Sequence, residues 1–369
     1  MELRRAAITR VMAEREVDHL VIHGANRFGT AVCWLTRWPV TREAYVVVTP
    51  GERDVLFVDF YNHVPNARRM ATEADVRACE GRGIELPLAA LRDRGAEGRR
   101  VGVIGPLPWR AARALADVAG ALVSLDADYT RLRLVKSAEE LEWLRIGCKL
   151  TDRGLAALRA GARPGVDERE LGALVEAAYL AGGGTTHIHY FAATPMNRPA
   201  MAAPAQWPSG RRLEPGDALV CELSASWWDH PGQVLRTFTV AVEPTALYRE
   251  MHAVADGAFD AIAARLRPGA TAAELVEASG VIEDAGFSTR DDLVHGFVGG
   301  YLPPVLGSRS RMLGAVPDFT FAAGMTVVVQ PNVVTPDETA GVQTGELLLV
   351  TERGAARLHA APRGLHPVG

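Results

Sequence analysis

The pattern of apolar and polar positions divides the chain near residue 129. Over residues 1–128, short apolar runs alternate with stretches in which apolar residues recur at helical spacing. Such alternation predicts an α/β domain, in which strands and helices follow one another along the chain. The predicted strands are residues 17–23, 44–49, 54–58 and 101–104. The remainder, 129–369, begins with a long helix capped by Ser137 and then changes to longer β-branched runs, which predicts a second domain.

The second domain contains the same pattern twice. Residues 163–171 (RPGVDEREL) correspond to 267–275 (RPGATAAEL), and in each copy a Pro-Gly turn is followed by an Asp or Thr that can cap a helix. Residues 213–226 and 321–332 then each combine a glycine turn, an apolar strand and a polar side chain. Two matched segments in the same order indicate an internally duplicated domain.

Composition narrows the class of protein. The chain is 48% hydrophobic and 23% charged, as is common for globular proteins, and its net charge of −4 offers no basic surface for nucleic acid. No apolar run is long enough to cross a membrane, so we expect a cytoplasmic location. The four cysteines have no CxxC spacing and are expected to be reduced thiols. Residues 362–369 are predicted to form a loose tail.

Polar side chains stand out within the apolar strands. Glu222 lies inside the run 219–223, and a buried carboxylate is unfavourable unless another group interacts with it. His295 lies in a similar apolar stretch. His187 and His189 alternate on a predicted strand, and we therefore expect both to face the same side. If both imidazoles point toward His295, the pocket is built for proton transfer. If they do not, a pocket that only binds a ligand is favoured.

The order and spacing of several motifs are similar to those of the creatinase/aminopeptidase family. The matching segments are residues 135–141, 163–165, 213–217, 236–238, 295–296, 303–304 and 341–352. The resemblance covers nearly the whole chain. It implies an α/β (α+β) architecture, with a small N-terminal α/β domain over 1–128. Residues 129–369 would then form a pita-bread domain with an internal pseudo-two-fold repeat.

The same resemblance implies a metal site that this chain has largely lost. Metallopeptidases of the family hold two divalent cations with two Asp, one His and two Glu side chains. The positions that match these ligands are occupied here by Glu222, Gln233, His295, Gln330 and Gly345, with Glu346 next to the last. Because an amide is a weak neutral ligand and glycine has no side chain, two dications would lack most of the anionic oxygens they need. We therefore expect no metal and no other cofactor.

Creatinase-type members of the family work without metal. The resemblance to them predicts a metal-independent enzyme that hydrolyses a C–N bond in a small polar nitrogen compound. His295 would move protons, Glu222 would orient or activate water, and His187 or His189 would supply the missing base. The side chains expected to bind substrate are Gln233, Gln330, Tyr301, Arg309 and Trp228.

Two other interpretations are open at this point. One is a catalytically inactive pita-bread protein that binds a ligand or a partner protein. The other is an Xaa-Pro peptidase-like hydrolase with a single metal ion, held by the two strand histidines and Glu222. The family pattern also predicts a homodimer, and the two enzyme interpretations predict a small-molecule substrate, with no nucleic acid and no membrane as partner.

Overall fold

The structure is a computed structural model, and it describes residues 1–25 and 31–369. These residues form two compact units, 1–133 and 134–369. The boundary follows residue 133, whereas the sequence places it after residue 128. Each unit has its own buried apolar core, as a folded domain requires.

The first unit is a sheet with helices on both faces. Its described elements are α1 (Glu2–Glu14), β1 (His19–Ala25), α2 (Ala31–Thr36), β2 (Glu43–Val48), β3 (Asp54–Val58), α3 (Val64–Met70), β4 (Ala74–Ala78), α4 (Glu85–Asp93), β5 (Arg100–Ile104), α5 (Trp109–Ala116), β6 (Ala121–Ser124) and α6 (Asp126–Leu132). The strands lie in the order β4-β3-β2-β1-β5-β6. Leu20 and Ile22 pack in one core and Val21 in another. Successive side chains of β1 thus enter opposite cores, as expected for a strand that is buried on both faces.

The second unit is built around a larger sheet. Its elements are α7 (Ala138–Gly161), α8 (Glu168–Leu180), β7 (Thr185–Pro195), β8 (Asp217–Trp227), β9 (His230–Pro231), β10 (Val234–Val240), α9 (Ala246–Arg265), α10 (Ala272–Ala278), α11 (Val281–Asp284), β11 (Ser288–Thr289), β12 (Val294–Phe297), β13 (Tyr301–Leu306), β14 (Thr326–Val329), β15 (Asn332–Val334), β16 (Gly341–Gln343), β17 (Gly345–Thr351), β18 (Gly354–Arg357) and β19 (His366–Val368). The large sheet runs β13-β12-β14-β17-β10-β8-β7, and β11, β15 and β16 form a small second sheet.

The predicted duplication is present in the second unit. Asp167 and Thr271 each cap a helix with a complete capping box. The glycine of each Pro-Gly turn, Gly165 and Gly269, has a positive φ, of 90° and 84°. Only glycine adopts this conformation without strain, which explains why the same turn residue occurs in both copies.

Helices of the two copies cover one side of the large sheet. Val175 of α8 packs with Leu223 of β8, and Phe259 of α9 packs with Val327 of β14. Burial of these apolar side chains stabilises each copy by about 25 cal/mol for every Å² removed from water. On the opposite side, Leu144 of α7 packs with Leu235, Val328 and Leu347 in a smaller apolar cluster, next to polar groups and a cavity.

The prediction of a loose C-terminal tail is wrong. Residues 366–368 form β19, which pairs in parallel with β10, and the carbonyl of Val368 accepts a hydrogen bond from the amide of Ala241 at 2.7 Å. The tail is held by a strand more than a hundred residues away, a partner that local sequence does not indicate. Among the described residues the four cysteines are buried and no disulfide forms. No helix within the described ranges is long and apolar enough to cross a membrane.

Candidate active site

Strand pairing places Glu222 and His295 on one side of the large sheet. Tyr190 on β7 lies opposite Glu222 on β8, Glu222 opposite Leu235 on β10, and Leu235 opposite Gly345 on β17. Directly opposite residues of neighbouring strands point to the same side of a sheet. His295 reaches this side through the pairings of β12, β14 and β17. We call this side the pocket face.

Glu222 is buried on the pocket face beside an amide. The Nε2 of Gln233 donates a hydrogen bond to its Oε1 at 2.5 Å. Burial, and then the nearby charge of Asp291, raise the pKa of Glu222 to about 8, and the bond from Gln233 only partly opposes this rise. Glu222 is therefore mostly protonated at neutral pH and can donate a proton.

Gln233 is itself held in place by a buried histidine. Its backbone N–H donates to Nε2 of His359 at 3.2 Å, and Nδ1 of His359 donates to Oδ1 of Asp152 at 2.8 Å. The acceptor role of Nε2 fixes the proton of the imidazole on Nδ1. Burial works to raise the pKa of Asp152, but the hydrogen bond and charge of His359, together with backbone hydrogen bonds from Ala360 and Ala361, outweigh it and hold this pKa below its usual value. Asp152 and His359 thus position Glu222 through Gln233.

His295 lies fully buried at the other end of the site. Its ring stacks on Tyr301 with centroids 4.0 Å apart, and its Nδ1 lies 3.2 Å from the carbonyl oxygen of Gly296. Burial lowers the pKa of His295 to about 4, so the imidazole is neutral at physiological pH. Its Nε2 has no hydrogen-bond partner in the described part of the chain.

A carboxyl group that the sequence analysis missed lies beside this imidazole. Oδ2 of Asp292 is 3.8 Å from Nε2 of His295, and it too lacks a hydrogen-bond partner among the residues described. The hydroxyl of Tyr301 donates to the other oxygen, Oδ1, at 3.0 Å. Burial, and then Asp291, raise the pKa of Asp292 to about 7. The signal in the sequence is the Asp291-Asp292 pair, which is separated from the strand of His295 by one residue.

The two strand histidines do not face the same side. A β-bulge between Thr186 and Ile188 interrupts the alternation that the prediction assumed. The ring of His189 therefore packs on Tyr179 of α8, away from the pocket face, and its Nε2 lies 3.2 Å from the Tyr179 hydroxyl. The ring of His187 packs on Phe297, which also contacts His295. Burial lowers the pKa of His187 to about 4 and makes it a poor base at neutral pH.

The structure places only some of the predicted substrate-binding residues at the site. Gln330 and Tyr301 lie at the site, and Nε2 of Gln330 donates to the backbone carbonyl of Asp292 at 3.1 Å. Arg309 instead forms an ion pair with Asp284 at 2.6 Å, beside helix α11. Trp228 lies in the turn between β8 and β9 and does not line the cavity described next. The prediction is therefore wrong for Arg309 and Trp228, because both lie in loops whose direction the sequence pattern does not define.

A cavity of about 610 Å³ lies beside Glu222 and Tyr301. Its walls include the carboxyl of Glu222, the carboxylate of Asp291, the ring of Tyr301 and the amides of Asn332 and Gln343, and residues 200–206 close one side. A cavity of this volume accommodates a dipeptide or a similar small molecule.

The residues at the pocket face do not fit a pair of metal ions. A Cβ at Gly345 would lie 2.6 Å from the carbonyl oxygen of Val329, so the backbone has closed over the place of a ligand side chain. Glu346 points to the opposite side of the sheet, where it is buried with Arg236 at 2.6 Å and with Arg357. The described residues contain no group of three or more His, Cys, Asp or Glu side chains that could hold a metal ion.

Comparison with known proteins identifies the family. Residues 142–352 match the sequence profile of metallopeptidase family M24, over more than half of the chain. The chain belongs to metallopeptidase family M24. Family membership and loss of the ligand set thus occur in the same chain.

The similar proteins are mostly named as dipeptidases. The Xaa-Pro dipeptidase of Pyrococcus furiosus is 27% identical over 235 residues, which are 63% of this chain and 65% of that protein. The aligned part therefore spans just under two thirds of this relative. A probable dipeptidase of Mycobacterium tuberculosis is 26% identical over 254 residues, or 68% of this chain and 65% of the relative.

Solved structures confirm the predicted fold. The prolidase from Pyrococcus furiosus superposes with a TM-score of 0.80 at 22% identity, covering 96% of this chain and 99% of the prolidase. The Xaa-Pro dipeptidase from Bacillus anthracis gives a TM-score of 0.84 at 18% identity and covers 100% and 99%. A small α/β domain followed by a pita-bread domain is therefore the architecture of this M24 member.

Proposed function

We propose that this M24 member is a peptidase-like hydrolase that cleaves an amide C–N bond of a small substrate in the cavity beside Glu222. The names of its relatives, Xaa-Pro dipeptidase and prolidase, support hydrolysis of an amide bond. The cavity volume of about 610 Å³ suits a substrate of dipeptide size. The creatinase-like interpretation has no comparable support, so we replace it with the peptidase-like hydrolysis of the alternative interpretation; the single metal ion of that alternative is considered below as a second candidate.

The observation that carries the proposal is the pair of buried acids. Asp292, with its pKa raised to about 7, can accept a proton at neutral pH, and Glu222, with its pKa raised to about 8, can donate one. Acid–base pairs of this kind are concentrated at active sites, because burial that costs stability is tolerated where it serves chemistry.

A position for the attacking water follows from two atoms without partners. Oδ2 of Asp292 and Nε2 of His295 are 3.8 Å apart, too far for a direct hydrogen bond and close enough for one water molecule to bond to both. The hydroxyl of Tyr301 holds Asp292 from the other side. A neutral imidazole can orient this water, while the carboxylate removes its proton.

The proposed reaction balances with these groups. The water oxygen attacks the amide carbon while Asp292 takes one of its protons. Glu222 gives its proton to the nitrogen as the C–N bond breaks, which releases a carboxylic acid and an amine. A proton then passes from Asp292 to Glu222 through solvent and restores the starting state. Gln233 and Gln330 act as positioning residues, since their amide nitrogens already donate to Glu222 and to the backbone of Asp292.

Membership of a metallopeptidase family favours a second candidate. In this case the same hydrolysis would use a single metal ion. His187 and His189, expected to hold it with Glu222, do not face the same side, which leaves Glu222 and His295 at the family's ligand positions. We derive no step through a metal, because the described residues do not group a third ligand with them. The two candidates differ in the dependence of turnover on added metal.

The test is an assay of chelator-treated protein on dipeptides, including Xaa-Pro dipeptides, and on N-acyl amino acids, ureides and guanidino compounds. The first candidate predicts turnover without metal. Asp292→Asn and Glu222→Gln should each lower kcat by about 10²- to 10⁴-fold, whereas Asp318→Asn, at an exposed loop carboxylate, should not change it. Turnover that appears only with one equivalent of manganese, cobalt or zinc would establish the second candidate. No turnover under any condition would leave a protein that only binds.

A further inference from the structure

Tyr190 presents a phenol to the cavity beside Glu222. It lies on β7 directly opposite Glu222 on β8, so its side chain points to the pocket face. Ile188, two residues earlier on the same strand, also lines the cavity, as the alternation of a strand requires. From Ile188 onward the pairing of β7 with β8 is regular, and Tyr190 is therefore held at a defined place on the cavity wall.

The hydroxyl of Tyr190 is not engaged by the protein. The side chain is half-buried, and its hydroxyl forms no hydrogen bond with any residue that the structure describes. Its oxygen remains accessible on the wall of the cavity. Two other donors on this wall already have acceptors: the hydroxyl of Tyr301 donates to Asp292 at 3.0 Å, and Arg290 pairs with Glu338 at 3.3 Å. Tyr190 therefore has a donor to offer to a bound molecule.

The surroundings of this hydroxyl are acidic. The cavity wall includes the carboxyl groups of Glu222, Asp291 and Glu338. Burial, and then the charges of Glu222 and Asp291, raise the pKa of Tyr190 above its ordinary value, so the phenol stays protonated through the neutral range. A substrate oxygen that becomes negative here is repelled by the carboxylate of Asp291, and it needs a hydrogen-bond donor to offset that repulsion.

The proposed hydrolysis creates such an oxygen. When water attacks the amide carbon, the π electrons of the carbonyl group move to its oxygen, which becomes an oxyanion. This oxygen and the amide nitrogen are bonded to the same carbon, so they are close neighbours. Glu222 is the proposed donor to the nitrogen, and Tyr190 is the cross-strand neighbour of Glu222. The phenol thus lies on the part of the wall that the oxyanion would face.

We infer that the Tyr190 hydroxyl donates a hydrogen bond to this oxyanion and is a catalytic residue of the hydrolysis. The inference rests on the proposed function, because the oxyanion forms only when an acyl carbon is attacked. The hydrogen bond strengthens as negative charge develops on the oxygen, so it stabilises the transition state more than the bound substrate. Its loss should therefore appear in kcat and not in KM.

Tyr190→Phe keeps the ring and removes only the donor. On a dipeptide that the wild type hydrolyses, kcat should fall by about 10²- to 10³-fold while KM stays nearly the same. The urea midpoint should not change, because no described residue loses a hydrogen bond. Tyr61→Phe, at a tyrosine of the first unit that is 76% exposed, is the matched control and should keep the wild-type kcat. Full activity of Tyr190→Phe would overturn the inference.

A sulfur-substituted substrate separates a direct hydrogen bond from a structural effect. In the thioamide that matches the dipeptide, negative charge develops on sulfur, which is a weak hydrogen-bond acceptor. The preference for the amide over the thioamide, as a ratio of kcat values, should therefore fall by about tenfold or more in Tyr190→Phe. Equal losses of kcat on the two substrates would show that Tyr190 acts only through the structure of the site, which also contradicts the inference.

The inference and the proposed function fail in different ways. If the wild type hydrolyses no amide, the proposed function is wrong and the role of Tyr190 is wrong with it. If the wild type hydrolyses a dipeptide and Tyr190→Phe does so at the same rate, the reaction stands and only the role of Tyr190 is wrong. A raised KM at unchanged kcat has the same meaning, because Tyr190 would then bind substrate and transition state equally.

Discussion

Replacement of Glu222 by glutamine is expected to stabilise the protein, and to do so more at higher pH. In the folded state burial keeps the carboxyl protonated, with its pKa raised to about 8 from an ordinary 4.5. In the unfolded chain the group ionises near its ordinary pKa. Between these two pH values the folded state binds more protons, so the free energy of unfolding falls as the pH rises. Glutamine does not titrate and removes this fall.

The size of the effect follows from the two pKa values. Full ionisation of a carboxyl in this environment has a ceiling of about 5 kcal/mol, at 1.36 kcal/mol for each pKa unit between 4.5 and about 8. Over the accessible range from pH 5 to pH 8, the difference in unfolding free energy between Glu222→Gln and wild type should grow by about 3 kcal/mol. The substitution keeps an acceptor oxygen for the bond from Gln233 at 2.5 Å, so little packing is lost.

The assay is urea unfolding of the full chain at pH 5, 6, 7 and 8, followed by tryptophan fluorescence. Glu214→Gln serves as the control, because Glu214 is exposed and its replacement should give a difference that does not vary over this range. A constant difference between Glu222→Gln and wild type across the four pH values would refute the reasoning. It would mean that the carboxyl ionises normally in the folded protein and cannot serve as an acid near neutral pH.

Three further substitutions test other parts of the site. Gly345→Ala should lower the free energy of unfolding by about 1–3 kcal/mol in urea titrations, because the added Cβ would lie 2.6 Å from a backbone carbonyl oxygen. The control Gly257→Ala, on an open helix surface, should be neutral or stabilising. His359→Asn should lower kcat about tenfold on the substrate that emerges, with KM unchanged and the pH profile of kcat shifted, since a general loss of stability would not move that profile. Gln233→Glu places a second carboxyl close to Glu222, at the 2.5 Å separation that Nε2 of Gln233 now has from its Oε1. Because like charges at this distance repel, the urea midpoint of the variant should decrease more steeply than that of the wild type as the pH rises from 5 to 8.

Local signals in the sequence were sufficient for most of the fold. The Pro-Gly turns and the capping residues Asp167 and Thr271 are determined by conformational preferences of a few neighbouring residues, and the structure has both copies as predicted. The arrangement of Glu222 and Gly345 on one side of the sheet required only the strand period and the pairing order. The turns and helix caps depend on contacts among a few neighbouring residues, which is why the pattern of residues indicates them, whereas the pairing order joins strands that are far apart in the chain.

The failures depend on information that a sequence pattern does not carry. One inserted residue at the β-bulge reversed the side on which His189 lies. Asp292 was missed because its raised pKa results from burial and from the charge of Asp291, and not from any spacing. Arg309 was assigned to the substrate because nothing in the sequence shows that Asp284 takes its charge. Site chemistry in this chain is set by three-dimensional neighbours more than by motif positions.

The loss of metal ligands and the chemistry proposed for the site are connected through charge. Carboxylates that bind a dication are held ionised by it, and without the cation their repulsion and burial raise their pKa values. Glu222 and Asp292 show this rise, with Asp291 as the shared source of repulsion. Asp291→Asn removes that repulsion, so the pKa values of both acids should fall and the pH profile of kcat should move to lower pH. The measurement is kcat as a function of pH for the variant and the wild type. An unchanged profile would show that Asp291 does not set the ionisation of the two acids.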